Sequence, residues 1–154
     1  MQTRISLCVT AAAMLTGSLL LCGAAGAAGD MTAGEPIRVT VRLGTDEGDH
    51  RFVPDALTFE TGKLYALRVE NPGKHNYYFV SQSFADAVYS RKVVALDKDG
   101  KDLIQVYGPV RRVEIKAGNA MEWWFVPMRT GKFDDLRSTK THTDAGMRGT
   151  IEIR

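Results

Sequence analysis

Three residues carry side chains that a soft metal ion would use together: His75, His142 and Met147. His142 and Met147 are separated by Thr143-Asp144-Ala145-Gly146, so one loop can wrap both around a single ion. His75 follows the turn Asn71-Pro72-Gly73 and is expected to open a strand. Imidazole and thioether donors suit copper, and the thioether favours the cuprous state. Each residue also has a plainer reading, a histidine in a surface turn or a methionine in a core, and spacing leaves both readings open. His50, in the acidic turn-like run Asp46-Glu47-Gly48-Asp49, reads first as a solvated histidine and second as a secondary metal contact. Met128, just beyond Pro127, is a spare thioether at most. Acid–base catalysis by Asp134 and Asp135 is disfavoured because successive strand residues point to opposite faces. Ser138 and His142 lack an oxyanion hole or an orienting acid that would make them a nucleophile and its base. The protein is not expected to be an enzyme.

The segment His75-Asn76-Tyr77-Tyr78-Phe79 after Asn71-Pro72-Gly73, together with the stretch from His142 through Met147 to Ile151, resembles the two copper-loop motifs of the cupredoxin family. A weaker likeness extends from Phe52-Val53-Pro54 through Thr61-Gly62-Lys63 to the last strand. The resemblance, which is to plastocyanin- and azurin-like proteins, implies one copper ion with His75, His142 and Met147 as three of four ligands. The fourth, a cysteine before the second histidine, is missing from Arg137-Ser138-Thr139-Lys140-Thr141. Four intervening residues put Arg137 in its place, and a shorter loop puts Ser138 or Thr139 there. None of these supplies the thiolate's charge and covalency, so blue-copper electron transfer is not expected. Two readings follow. In one, a His-His-Met site holds copper, with Cu(I) favoured, for copper handling or redox support. In the other, the fold is a metal-free interaction module, with Arg137 or Lys140 plugging the retired site or contacting an exported protein partner.

The elements that must position these residues are strands. Ile37, Val39, Val41 and Leu43 alternate with Arg38, Thr40 and Arg42, which is the pattern of a half-buried strand. Further strands are predicted over 64–69, 75–80, 92–96, 103–107 and 150–153, with 111–115 and 121–126 forming a hairpin across Ala117-Gly118-Asn119. Ser81 or Ser83 is expected to cap a short helix reaching Tyr89. Of Trp123 and Trp124, one must face inwards, with the option of walling the site. The fold class is therefore all-β: a Greek-key, cupredoxin-like β-sandwich of seven or eight strands with a short helix and hairpin insertion.

Residues 1–28 read as a secretory signal peptide, with Arg4, an apolar run from Ile5 to Leu21, and a small-residue site ending at Ala28. Both cysteines, Cys8 and Cys22, fall inside it, so the single domain over 29–154 needs a core that stands without disulfides. Leu21 is bulky for lipoprotein processing at Cys22. The location implied is periplasmic or secreted. With 20 Lys+Arg against 18 Asp+Glu, the charge balance gives no support to nucleic-acid binding or to a membrane surface beyond the signal peptide.

Overall fold

The computed structural model describes residues 29–154 apart from residue 46. The signal-peptide expectation, with Cys8 and Cys22, lies outside these residues. No helix among the described residues is long and apolar enough to cross a membrane.

The alternating segments pack into two sheets. One has the order β2-β1-β4-β9-β6-β7, from β1 (Ile37–Leu43), β2 (Phe52–Val53), β4 (Tyr65–Glu70), β6 (Val88–Leu96), β7 (Asp102–Val106) and β9 (Ala120–Pro127). The other has the order β3-β11-β10-β5-β8, from β3 (Ala56–Phe59), β5 (Tyr77–Val80), β8 (Arg112–Ile115), β10 (Gly131–Arg137) and β11 (Arg148–Ile153). Both sheets are mixed: β1 runs parallel to β4 and β3 parallel to β11, and the remaining pairs are antiparallel. Val41, Leu43, Leu67, Val69, Phe79, Ile151 and Ile153 join one apolar core. Phe84 and Phe125 meet edge-on in it; Trp123 and Phe59 pack against both, with Phe59 stacked on Phe84 and edge-on to Phe125.

Several expectations change here. The hairpin over 117–119 does not form, because β8 pairs with β5 and β9 pairs with β4 and β6 in the opposite sheet. The turn crosses between sheets instead, and Gly118 supplies the positive φ of 75° that it needs. The helix is one turn, α1 (Gln82–Ala85), because Val88 already pairs with Pro127 at the start of β6. Neither serine caps it through its own oxygen in the expected way. The Asp135 carboxylate does so from across the fold, accepting from Ser81 Oγ, Ser83 N and Ser83 Oγ at 2.7, 3.0 and 2.5 Å. Strands β2 and β3 are additions to the expected set, and of β10 the sequence marks only the strand residues Asp134 and Asp135. In β10 a register shift between Phe133 and Leu136 puts two buried residues three apart, which hides the period of two.

Trp123 is the inward tryptophan, and its Nε1–H donates to Ser90 Oγ at 3.0 Å. Its place in the core against Phe84 and Phe125 leaves the walling of the site to Tyr77, described below. Trp124 faces outwards, with Lys92 Nζ 4.7 Å from its ring centroid. Met128 is exposed and lines a surface cleft with Met31 and Tyr89, so it is no spare ligand.

Candidate metal centre

The loops that carry the histidines leave the ends of β1, β4 and β10 and come together at one end of the sandwich. His75 lies before β5 and not within it, because the strand starts at Tyr77. Its position is set by Asn71, which is 1% exposed. The Asn71 amide donates to the carbonyls of His75 at 2.7 Å and Ile115 at 2.8 Å, while its Oδ1 accepts from Gly73 N at 3.2 Å. One side chain thus ties the turn to the adjacent strand. The sequence marked Asn71 only as a turn residue.

His142 sits in an unanticipated single-turn helix, α2 (Lys140–Asp144), where the sequence suggested an open loop. Thr139 is its N-cap and accepts from His142 N at 3.3 Å. The His142 carbonyl then accepts from Met147 N at 2.9 Å, so the loop folds back and delivers Met147, fully buried, into the core.

A third histidine joins these two. His50, in the loop between β1 and β2, stacks on His142 with ring centroids 4.6 Å apart and planes at 29°. Its ring lies 5.4 Å from that of His75, whereas His75 and His142 are 6.5 Å apart. Buried Tyr77 backs the group, 5.0 Å from the His142 ring, with its hydroxyl 3.0 Å from His50 Nδ1. Burial raises the Tyr77 pKa and keeps the phenol neutral.

Burial also lowers the His142 pKa, and the neighbouring charges of His50 and His75 add to the effect. The neutral ring has a lone pair on one nitrogen. His142 Nδ1 is buried and has no hydrogen-bond partner. A buried nitrogen in that state is costly unless a donor or a metal ion takes its lone pair. As the side chains stand, no group of three or more His, Cys, Asp or Glu among the described residues is arranged to hold a metal ion. The stacked rings of His50 and His142 do not aim their lone pairs at one point, so coordination requires one of that pair to turn. The donor types and the orphaned Nδ1 fit copper.

The position expected to hold a cysteine is resolved by which side chain turns inwards. Arg137 is exposed, whereas Ser138 is 6% exposed and its Oγ accepts from Tyr78 N at 3.0 Å. Lys140 lies on the surface and pairs with Asp144 at 2.6 Å. Neither cation therefore plugs the space among the imidazoles, which corrects that expectation. Asp134 is exposed, and Asp144 pairs with Lys140 and Arg148.

No family model matches the sequence, and no curated protein matches it. Solved structures do. The chain aligns with a multicopper oxidase from Campylobacter jejuni, described as a metallo-oxidase, at 11% identity and a TM-score of 0.59, covering 79% of this chain and 31% of the other. A copper nitrite reductase from Nitrosomonas europaea aligns at 12% identity and a TM-score of 0.53, covering 80% and 51%. A plastocyanin from Dryopteris crassirhizoma aligns along its full length at 16% identity, with 75% of this chain covered, but its TM-score of 0.43 carries no weight here. The chain thus spans about a third of the oxidase and half of the reductase. At such identities likeness concerns the fold alone, and with the two-sheet order it shows this chain to be a cupredoxin-like all-β sandwich.

Proposed function

We propose that the protein is an exported copper-binding protein that holds one ion, with Cu(I) favoured, through His75, His142 and Met147, and serves copper handling or redox support. The observation that carries this reading is the buried, unpartnered Nδ1 of His142 beside two further imidazoles. Copper bound there would supply a soft cation able to exchange one electron. The residues supply nitrogen and sulfur donors, an end of the fold backed by buried Tyr77, and two loops whose backbones are pinned, one at Asn71 and the other at Thr139. Without a thiolate the site lacks the ligand that gives blue copper its intense colour. The fold does not decide between binding and catalysis, since function resides in the site. No substrate-binding group is read from the residues around the imidazoles, and we assign no reaction.

Titration with Cu(I) under a competing chelator, and separately with Cu(II), tests the assignment. The protein is expected to take Cu(I) from the chelator without an intense thiolate band, and His142→Ala is expected to lose that ability. Uptake by His142→Ala with unchanged affinity would sink the ligand assignment.

A second reading has its own support. Leu103, Ile104, Val106 and Tyr107, on and just after the edge strand β7, are 48–74% exposed. An unpaired strand edge with apolar side chains suits a protein partner. If neither copper ion binds, the interaction-module reading stands, with exposed Arg137 as a further contact. Charge reversal at Arg137 is then expected to weaken the partner's binding.

A further inference from the structure

We propose, on the reading of this end of the sandwich as a copper site, that His50 is a third imidazole ligand, acting through Nε2 and adding a nitrogen donor where no thiolate is present. Among the three rings His50 is the central one, 4.6 Å from His142 and 5.4 Å from His75, which are farther from each other. Its Nδ1 lies 3.0 Å from Tyr77 Oη. In the tautomer that carries its proton on Nδ1, this N–H donates to the phenol oxygen and leaves a lone pair on Nε2. Metal-binding histidines are held by such a bond from the other ring nitrogen, which fixes both tautomer and orientation.

The support behind His50 is itself built in. Tyr77 is 1% exposed, and a Cβ at Gly44 would stand 2.9 Å from its hydroxyl oxygen and 3.0 Å from its Cε2. Gly44 also has a φ of 81°, so glycine is required there both for conformation and for space. The loop between β1 and β2 is closed by Gly44 N donating to the Arg51 carbonyl at 2.8 Å and Thr45 N to the Asp49 carbonyl at 3.2 Å. His50 is thereby carried to the other two histidines by backbone bonds, not by chance packing of a loose loop.

The test is Cu(II) binding read by pulsed electron paramagnetic resonance, which counts coupled imidazole nitrogens, together with affinity by chelator competition. The wild-type protein is expected to show three imidazoles. His50→Ala should show two, with affinity lowered at least tenfold. His50→Asn, whose side-chain amide can replace Nδ1–H towards Tyr77, guards against a folding defect and should show the same loss. Tyr77→Phe should keep three imidazoles and bind about tenfold more weakly. Copper bound by the wild type with the same imidazole count and affinity as His50→Ala and His50→Asn overturns the role of His50 while leaving the His75–His142 site standing. A wild-type protein that binds no copper overturns the functional reading, and this proposal with it.

Discussion

Asn71 offers the sharpest check on how the site is held, because its effect on the fold is independent of any ion. Replacing it with alanine removes three hydrogen bonds, two donated to the carbonyls of His75 and Ile115 and one accepted from Gly73 N. At about 0.5–1.5 kcal/mol each, and with the orphaned groups partly buried, the loss is about 2–4 kcal/mol. With a urea m-value of about 2 kcal/mol/M, the unfolding midpoint should fall by about 1–2 M. Asn71→Asp gives the contrast. It keeps an acceptor for Gly73 N but turns the two donated bonds into carboxylate oxygens facing carbonyl oxygens at a residue that is 1% exposed. Urea unfolding at pH 7 should therefore rank wild type above Asn71→Ala, and Asn71→Ala at or above Asn71→Asp. An aspartate variant clearly more stable than the alanine variant would refute the donor assignment and the claim that this amide pins the His75 loop.

Three other outcomes are expected. Met147→Leu conserves volume in the core and should cost less than about 1.5 kcal/mol in thermal unfolding, while weakening Cu(I) binding measured by chelator competition. Gly149→Ala should destabilise by about 3 kcal/mol or more in chemical unfolding, since its Cβ would lie 2.6 Å from the Asp55 carbonyl oxygen and 2.8 Å from Leu136 Cδ2. Burial pushes the Asp135 carboxyl up, but hydrogen bonds from Ser81, Ser83 and Gln82 outweigh it and hold the pKa below the usual value. A depressed carboxylate pKa contributes stability that is present above the unfolded value near 3.9 and is lost as pH falls through the folded value. Asp135→Asn should thus melt earlier at pH 7, by about 1–3 kcal/mol, and the gap should close below about pH 3.9; a gap independent of pH would show that the charge is irrelevant.

Which strands form was largely readable from period-two alternation, as in Val41 and Leu43 of β1 and the run Tyr65–Glu70. Which sheet each strand joins was not. The residues of β8 and β9 look the same whether the turn between them closes a hairpin or crosses the core, and only the partners β5 and β4 decide it. The longer helix anticipated from Ser81 failed for a related reason: Val88 gains a ladder partner in Pro127, and α1 is left with one turn.

At the site the limits are more specific. Counting residues back from His142 leaves Arg137, Ser138 and Thr139 all open for the cysteine position, and the choice is decided by the register shift in β10, which breaks the alternation between Phe133 and Leu136. After it, Leu136 and Ser138 face inwards and Arg137 faces solvent, so a neutral hydroxyl and not a guanidinium stands at the inner position. That difference changes the electrostatics of the whole end of the sandwich. An inward guanidinium would repel a cation across a few ångströms. Here Lys140 is paired with Asp144 on the surface, and the inner groups Tyr77 and Ser138 carry no charge. His50 reads first as a solvated histidine, and only second as a metal contact, because its acidic turn looks solvated when read alone. Only the pairing of Arg42 and Leu43 with Val53 and Phe52 closes that loop and brings the ring over His142. An end of the fold with no inward guanidinium keeps an environment that a copper cation tolerates, and the three imidazoles gathered there are the donors proposed to hold it.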